Sequence, residues 1–87
     1  MKLIFCLSCS DVVNLVRHEE RRCSCGSCYG RMDSESTGWY KGVTCLPVHF
    51  NIGSFADACF NQPSKGRGRM FEAFVLADKN LTLEKRL

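Results

Sequence analysis

Proline is scarce in this chain, with two residues among 87, and no low-complexity tract or internal repeat interrupts the sequence. Nothing therefore marks a rigid spacer or a division into parts, and the length fits one domain, residues 1–87. Long hydrophobic runs are also missing. None approaches the ~18 residues of a membrane-spanning helix, which excludes an integral membrane role of that kind. The apolar stretch Leu3–Leu7 turns polar at Ser8, short of the roughly 7–15 residues of an export signal, and Phe5 before Cys6 is too large for a processing site. The expectation is a cytoplasmic protein. Catalytic constellations are absent too. The two histidines have no nucleophile and acid beside them, no glycine loop ends in Lys-Ser or Lys-Thr, and the nine acidic residues are scattered. Acid–base and phosphoryl-transfer chemistry have no obvious carriers.

What the chain does have is cysteine. There are seven, an odd number, and five of them lie between Cys6 and Cys28. In a reducing compartment such a cluster serves a metal or a redox reaction rather than a disulfide framework. Zinc requires four ligands in a tetrahedron, and a sharp turn with two thiolates two or three residues apart supplies half of them. Cys6 and Cys9 form one such pair. The 13 residues from Ser10 to Arg22 suffice for a strand and its return, and then come Cys23-Ser24-Cys25-Gly26-Ser27-Cys28. Gly26 gives the backbone the freedom to turn its N–H groups toward sulfur, which favours Cys25 and Cys23 as the second pair. Cys28 is the alternative fourth ligand. Cys45, within a strand, and Cys59, on the apolar face of a helix, read as core residues.

The rest of the chain reads as a small α+β domain. Asp11–Arg17 has the β-branched content of a strand, and Trp39–Phe50 that of one or two strands interrupted by Gly42 and Pro47. Ile52, Phe55, Ala56, Cys59 and Phe60 share one helical face, predicting a helix over 53–61 that is capped by Ser54 and ended by Pro63. Met70–Ala77 is almost continuously apolar and reads as a buried central strand, against which Phe55, Cys59 and Phe60 should pack through Phe71, Phe74 and Leu76. Leu81, Leu83 and Leu87 suggest a final edge strand. Trp39 and Tyr40 are expected in the core. The predicted architecture is an N-terminal zinc-ribbon hairpin, residues 1–30, packed on a small, mostly antiparallel sheet with one helix, residues 31–87.

Cys6-x-x-Cys9, a hydrophobic strand, Cys23-x-Cys25-Gly26 and then Gly30 resemble the small zinc-ribbon proteins of phages and bacteria. The resemblance covers the first third of the chain. It implies a zinc module that modulates a host or defence machine, in the host cytoplasm if phage-encoded. A second pattern competes with it. A strand, Cys6-x-x-Cys9 and a helix beginning near Ser10 would resemble a glutaredoxin-like oxidoreductase, with Cys6 as nucleophile and Cys9 resolving. Leu7-Ser8 between the cysteines and the unexplained second cluster argue against it.

Twelve basic and nine acidic residues give a net charge of +3. A Zn²⁺ on four thiolates contributes a net −2, so the loaded protein carries about +1. A broad basic field for nucleic acid is thereby excluded, and a local patch remains. Arg17, Arg21 and Arg22 flank the hairpin, while Lys65, Arg67 and Arg69 alternate with glycines in a loop. These six are the candidate partner-binding residues. The resulting expectation is a non-enzymatic Zn²⁺ module that docks on a protein, with nucleic-acid binding as the alternative.

Overall fold

Short strands separated by turn residues dictate the architecture. The computed structural model describes residues 1–77, 79, 80 and 82–86. Among these, the chain runs β1 (Lys2–Cys6), β2 (Val12–Asn14), β3 (Arg21–Arg22), β4 (Tyr29–Met32), β5 (Gly38–Lys41), β6 (Cys45–Phe50), α1 (Ile52–Phe60), β7 (Ala73–Val75) and β8 (Leu83–Arg86). The strands form two four-stranded sheets, ordered β2-β1-β6-β7 and β3-β4-β5-β8. Every pairing is antiparallel except β5 with β8. The α+β class and the mostly antiparallel pairing agree with the sequence. Residues 1–30 divide between the sheets: β1 and β2 belong to the first, β3 and β4 to the second.

Alternation along the strands places the core between the sheets. On β1, Ile4 and Cys6 are fully buried and point the same way. Ile4 lies opposite Val13 on one side and Pro47 on the other. Tyr40 and Leu83 complete the core from the second sheet, with Leu15, Met32 and Cys45 around them. Leu83 occupies the predicted final edge strand; Leu81 and Leu87 lie outside the described residues. Trp39 points away from Tyr40 and is buried differently. The Tyr29 ring meets it edge-on at 6.0 Å, and the Arg86 guanidinium lies 4.7 Å above it.

The C-terminal half departs from the sequence reading in four respects. First, the helix begins one residue early, because Asn51 caps it by accepting a hydrogen bond from the Ser54 amide at 3.0 Å. Ser54, the expected cap, instead accepts from the Glu72 amide at 2.7 Å. Second, the helix stops at Phe60, before Pro63, where the Asn61 side chain donates to the Asp57 carbonyl. Third, Cys59 is exposed and Phe60 is 85% exposed. The helix packs through Phe55 instead, whose ring lies 4.8 Å from Phe71 and 6.0 Å from Phe50. Fourth, Met70–Ala77 yields only β7, an exposed edge strand. Its pairing stops where Leu76 donates to the Pro47 carbonyl, since Pro47 has no N–H to return the bond. Phe74 stacks on His49 and Leu76 packs on the inter-sheet core, so neither meets the helix as expected.

The inter-sheet core and the helix surface should respond differently to truncation. Ile4→Ala removes a fully buried side chain and should cost about 2–5 kcal/mol in chemical denaturation. Phe60→Ala should change stability by no more than about 0.5 kcal/mol. A large loss on Phe60→Ala would restore the helix packing expected from the sequence.

Candidate metal centre

Three turns converge where the two sheets meet. The first follows β1: the Ser10 amide donates to the Cys6 carbonyl at 2.8 Å, and the Cys6 amide donates to the Asp11 carbonyl at 3.0 Å. Ser10 adopts a positive φ of 59° to close this turn. The second turn joins β3 to β4. There the Cys23 amide donates to the Cys28 carbonyl at 2.9 Å and the Gly26 amide to the Cys23 carbonyl at 3.0 Å. Gly26 has φ of +82°, the conformation a glycine adopts without strain. The third is the β5–β6 turn, where Gly42 comes so close that a Cβ there would lie 2.4 Å from the Ser27 carbonyl oxygen.

This convergence brings the sulfurs of Cys6, Cys9, Cys23 and Cys25 within 4.8 Å of one another. Cys25 Sγ lies 3.7 Å from Cys6 Sγ and 3.6 Å from Cys23 Sγ. A disulfide bond is about 2.0 Å long, so these are separate thiols. A tetrahedral centre with Zn–S bonds of about 2.3 Å has sulfur–sulfur edges of roughly 3.8 Å, close to both separations. Cys6 and Cys23 are buried, Cys9 is half-buried and Cys25 is exposed. These four cysteines could hold a metal ion. Cys28, the alternative ligand, is not among them: its sulfur is buried and faces the Thr44 hydroxyl at 3.9 Å. Cys45 is buried as expected, beside Cys28, whereas Cys59 is far out on the exposed helix surface.

The surroundings favour thiolate. The Ser27 hydroxyl lies 2.9 Å from Cys25 Sγ and 3.4 Å from Cys6 Sγ. It lowers the Cys6 thiol to a pKa of about 5, aided by the backbone N–H groups of Cys9 and Ser8. For Cys9, the backbone N–H of Cys25 pulls the thiol down, but desolvation and the adjacent sulfurs of Cys6 and Cys25 outweigh it, giving about 11. Cys23 is lowered: burial opposes ionisation, but the Cys28 amide, 3.3 Å from its sulfur, and the Cys25 thiol favour it. One low and one high thiol in a cluster is the pattern of neighbours that cannot all be anionic together. A divalent cation relieves that repulsion and deprotonates the remainder.

Some supporting residues were not legible as such. Ser27 and Thr44 aim hydroxyls at the sulfurs. Asp11 ties the first turn to the second by accepting from the Ser24 amide at 2.9 Å and from its hydroxyl at 3.0 Å. The only hint was proximity to a clustered cysteine, and Thr44 lacked even that, since its neighbour Cys45 lies outside the cluster. The predicted partner-binding residues fall in three places: Arg17 after β2, Arg21 and Arg22 on β3, and Lys65, Arg67 and Arg69 in the connection between α1 and β7. Arg21 pairs with Glu19 at 3.0 Å, Arg22 with Glu20 at 3.4 Å, and Arg69 with Asp57 at 3.5 Å, while Arg17, Lys65 and Arg67 are exposed. Arg22 also lies 4.0 Å over the Tyr29 ring and donates to the Gly26 carbonyl, so it braces the second turn. After Cys9 the chain enters β2, where the redox pattern would require a helix.

Removing the hydroxyl that polarises two sulfurs tests the centre without touching a ligand. Ser27→Ala should raise the Cys6 thiol pKa, followed by thiolate absorbance, and weaken zinc affinity about tenfold in competition with a chromophoric chelator. Unchanged affinity would separate the hydroxyl from the metal site.

No protein-family model, curated protein or solved structure matches this chain, so the functional reading rests on its own residues.

Proposed function

We propose that this chain is a non-enzymatic zinc module, in which Cys6, Cys9, Cys23 and Cys25 hold one Zn²⁺ and the stapled domain docks on a macromolecular partner. The observation that carries the reading is the approach of four sulfurs, from two turns in different sheets, to within 4.8 Å. Four thiolates fill every position of a tetrahedral zinc, leaving none for water or substrate, which is the composition of a structural site. The need for such a staple follows from size. An 87-residue chain split between two small sheets has a modest core, and a metal bridging them supplies what packing does not. The phage-type zinc ribbon remains the family reading that suits the cysteine spacing, and the cytoplasm the compartment that suits free thiols.

A protein is favoured over nucleic acid as partner on two grounds. Three of the six basic candidates are already engaged with acidic neighbours. Apolar side chains are left uncovered around the helix and β7, where Ile52 is 49%, Phe60 85%, Met70 91% and Val75 67% exposed. Exposed apolar groups of this kind characterise protein contacts.

Elemental analysis of protein purified without chelator should find about one zinc per chain. Cys9→Ser or Cys25→Ser should lose it, and Cys28→Ser and Cys59→Ser should keep it. Absence of zinc together with a Cys6–Cys9 disulfide would replace this reading with the redox one. The nucleic-acid alternative predicts binding that falls steeply between ~50 and ~200 mM salt and weakens when Lys65, Arg67 and Arg69 are replaced by Ala. Weak binding at both salt concentrations is the outcome expected here.

A further inference from the structure

We propose that a second site, where β5 and β8 end beside the β5–β6 turn, binds an organic phosphate of about nucleotide size. The site is a cleft of about 690 Å³ beside the metal centre, a volume within the range of small-molecule sites. Its cations are Lys41, Lys85 and Arg86, and no acidic side chain is among the described residues that line it. None of the basic residues singled out from the sequence takes part.

Strand register explains how the cations meet. Arg22 lies opposite Tyr29, Tyr29 opposite Lys41, and Lys41 beside Arg86. One row thus crosses all four strands on one face, reading cation, aromatic ring, cation, cation. Like charges directly across neighbouring strands destabilise a sheet unless something compensates them. Arg22 is compensated by Glu20 and by the Tyr29 ring. Arg86 has the face of the Trp39 ring and, 4.0 Å away, the exposed Glu84, a weak pair, whereas Lys41 has no acidic contact among the described residues. Lys41 and Arg86 therefore form a juxtaposition that an anion would stabilise, while Lys85, which alternates to the other side of β8, borders the same cleft.

The remaining walls suit the body of an ester rather than a bare ion. Val43 is 98% exposed and borders the cleft beside the Tyr29 ring. Together they offer apolar and aromatic surface next to the cations, the combination that accepts a phosphate on a flat heterocycle. The hydroxyls of Ser27 and Thr44 also border the cleft but are directed at sulfur. They anchor its floor to the metal centre, and recognition falls to the cationic side chains. A loaded centre carries about −2, which weakens anion binding and makes both Lys41 and Arg86 necessary.

The chain carries its own reporter. Trp39 is the single tryptophan, and the Arg86 guanidinium sits 4.7 Å over its ring, so a ligand that engages Arg86 should alter Trp39 emission. Zinc-loaded protein at low salt should be titrated with adenosine monophosphate, with adenosine, and with a short oligothymidylate. Adenosine monophosphate should change the emission saturably and adenosine should not. Lys41→Ala and Arg86→Gln should each weaken binding about tenfold or more, the scale of one charge-assisted contact; emission can fall silent in Arg86→Gln, so calorimetry reads that variant. Lys2→Ala, at the opposite end of β1 from Cys6, should have no effect. Tighter binding of the oligothymidylate assigns the phosphate to a nucleic-acid strand, and weaker binding assigns it to a free nucleotide. No binding of either phosphate ligand, equal binding of adenosine, or full affinity in both cleft variants would overturn the site. Zinc content measured in each sample separates that failure from loss of the metal centre.

Discussion

Mutual repulsion among four crowded sulfurs is the constraint on which the structure turns. Cys6 and Cys9 come from the turn after β1, Cys23 and Cys25 from the turn between β3 and β4, and these turns belong to different sheets. Thiolates at such separations repel one another unless protons or a cation intervene. The groups around them, the Ser27 and Thr44 hydroxyls and the Cys28 amide, stabilise negative charge on sulfur rather than suppress it. The fold thus concentrates anionic character at the junction of its two layers. A dication placed there would turn that repulsion into a cross-link between the two sheets.

The rest of the molecule is arranged around this junction. Asp11 and Ser24 join the two cysteine turns, and the Leu7 amide donates to the Thr44 carbonyl at 2.9 Å, adding the third. Tyr40, Ile4 and Leu83 fill the space between the sheets. Beyond it the chain becomes extended: the dimensions are 45 × 27 × 24 Å and the radius of gyration is 14.1 Å, against roughly 12 Å for a compact chain of this length. The helix and β7 form the outlying limb. It is held by the Phe50–Phe55–Phe71 cluster and leaves other apolar residues uncovered.

How much of this was legible follows from the range of each signal. Cysteine spacing is local, and a turn bearing two thiols is specified within a few residues, so the four cysteines that come together could be read directly. Gly26 pointed to Cys25 as the last ligand of its turn, and the sulfur geometry agrees. Long-range placement could not be read. An apolar run such as Met70–Ala77 specifies a strand but not whether another layer will cover it, and here none does. The helical face of Cys59 and Phe60 carried the right period, yet the surface it would pack against lies elsewhere. Asn51 capped the helix in place of Ser54 because Ser54 was drawn to Glu72, a partner distant in sequence. The cationic row of Lys41 and Arg86 exists only through parallel pairing of β5 with β8, which no local pattern announces.

Zinc K-edge X-ray absorption on the purified protein reads the ligand set of a bound zinc. A single shell of four sulfurs at about 2.3 Å is expected, with no nitrogen or oxygen in the first shell. A shell containing nitrogen or oxygen at about 2.0–2.1 Å would contradict that expectation, because the four-thiolate centre leaves no position for histidine, carboxylate or water.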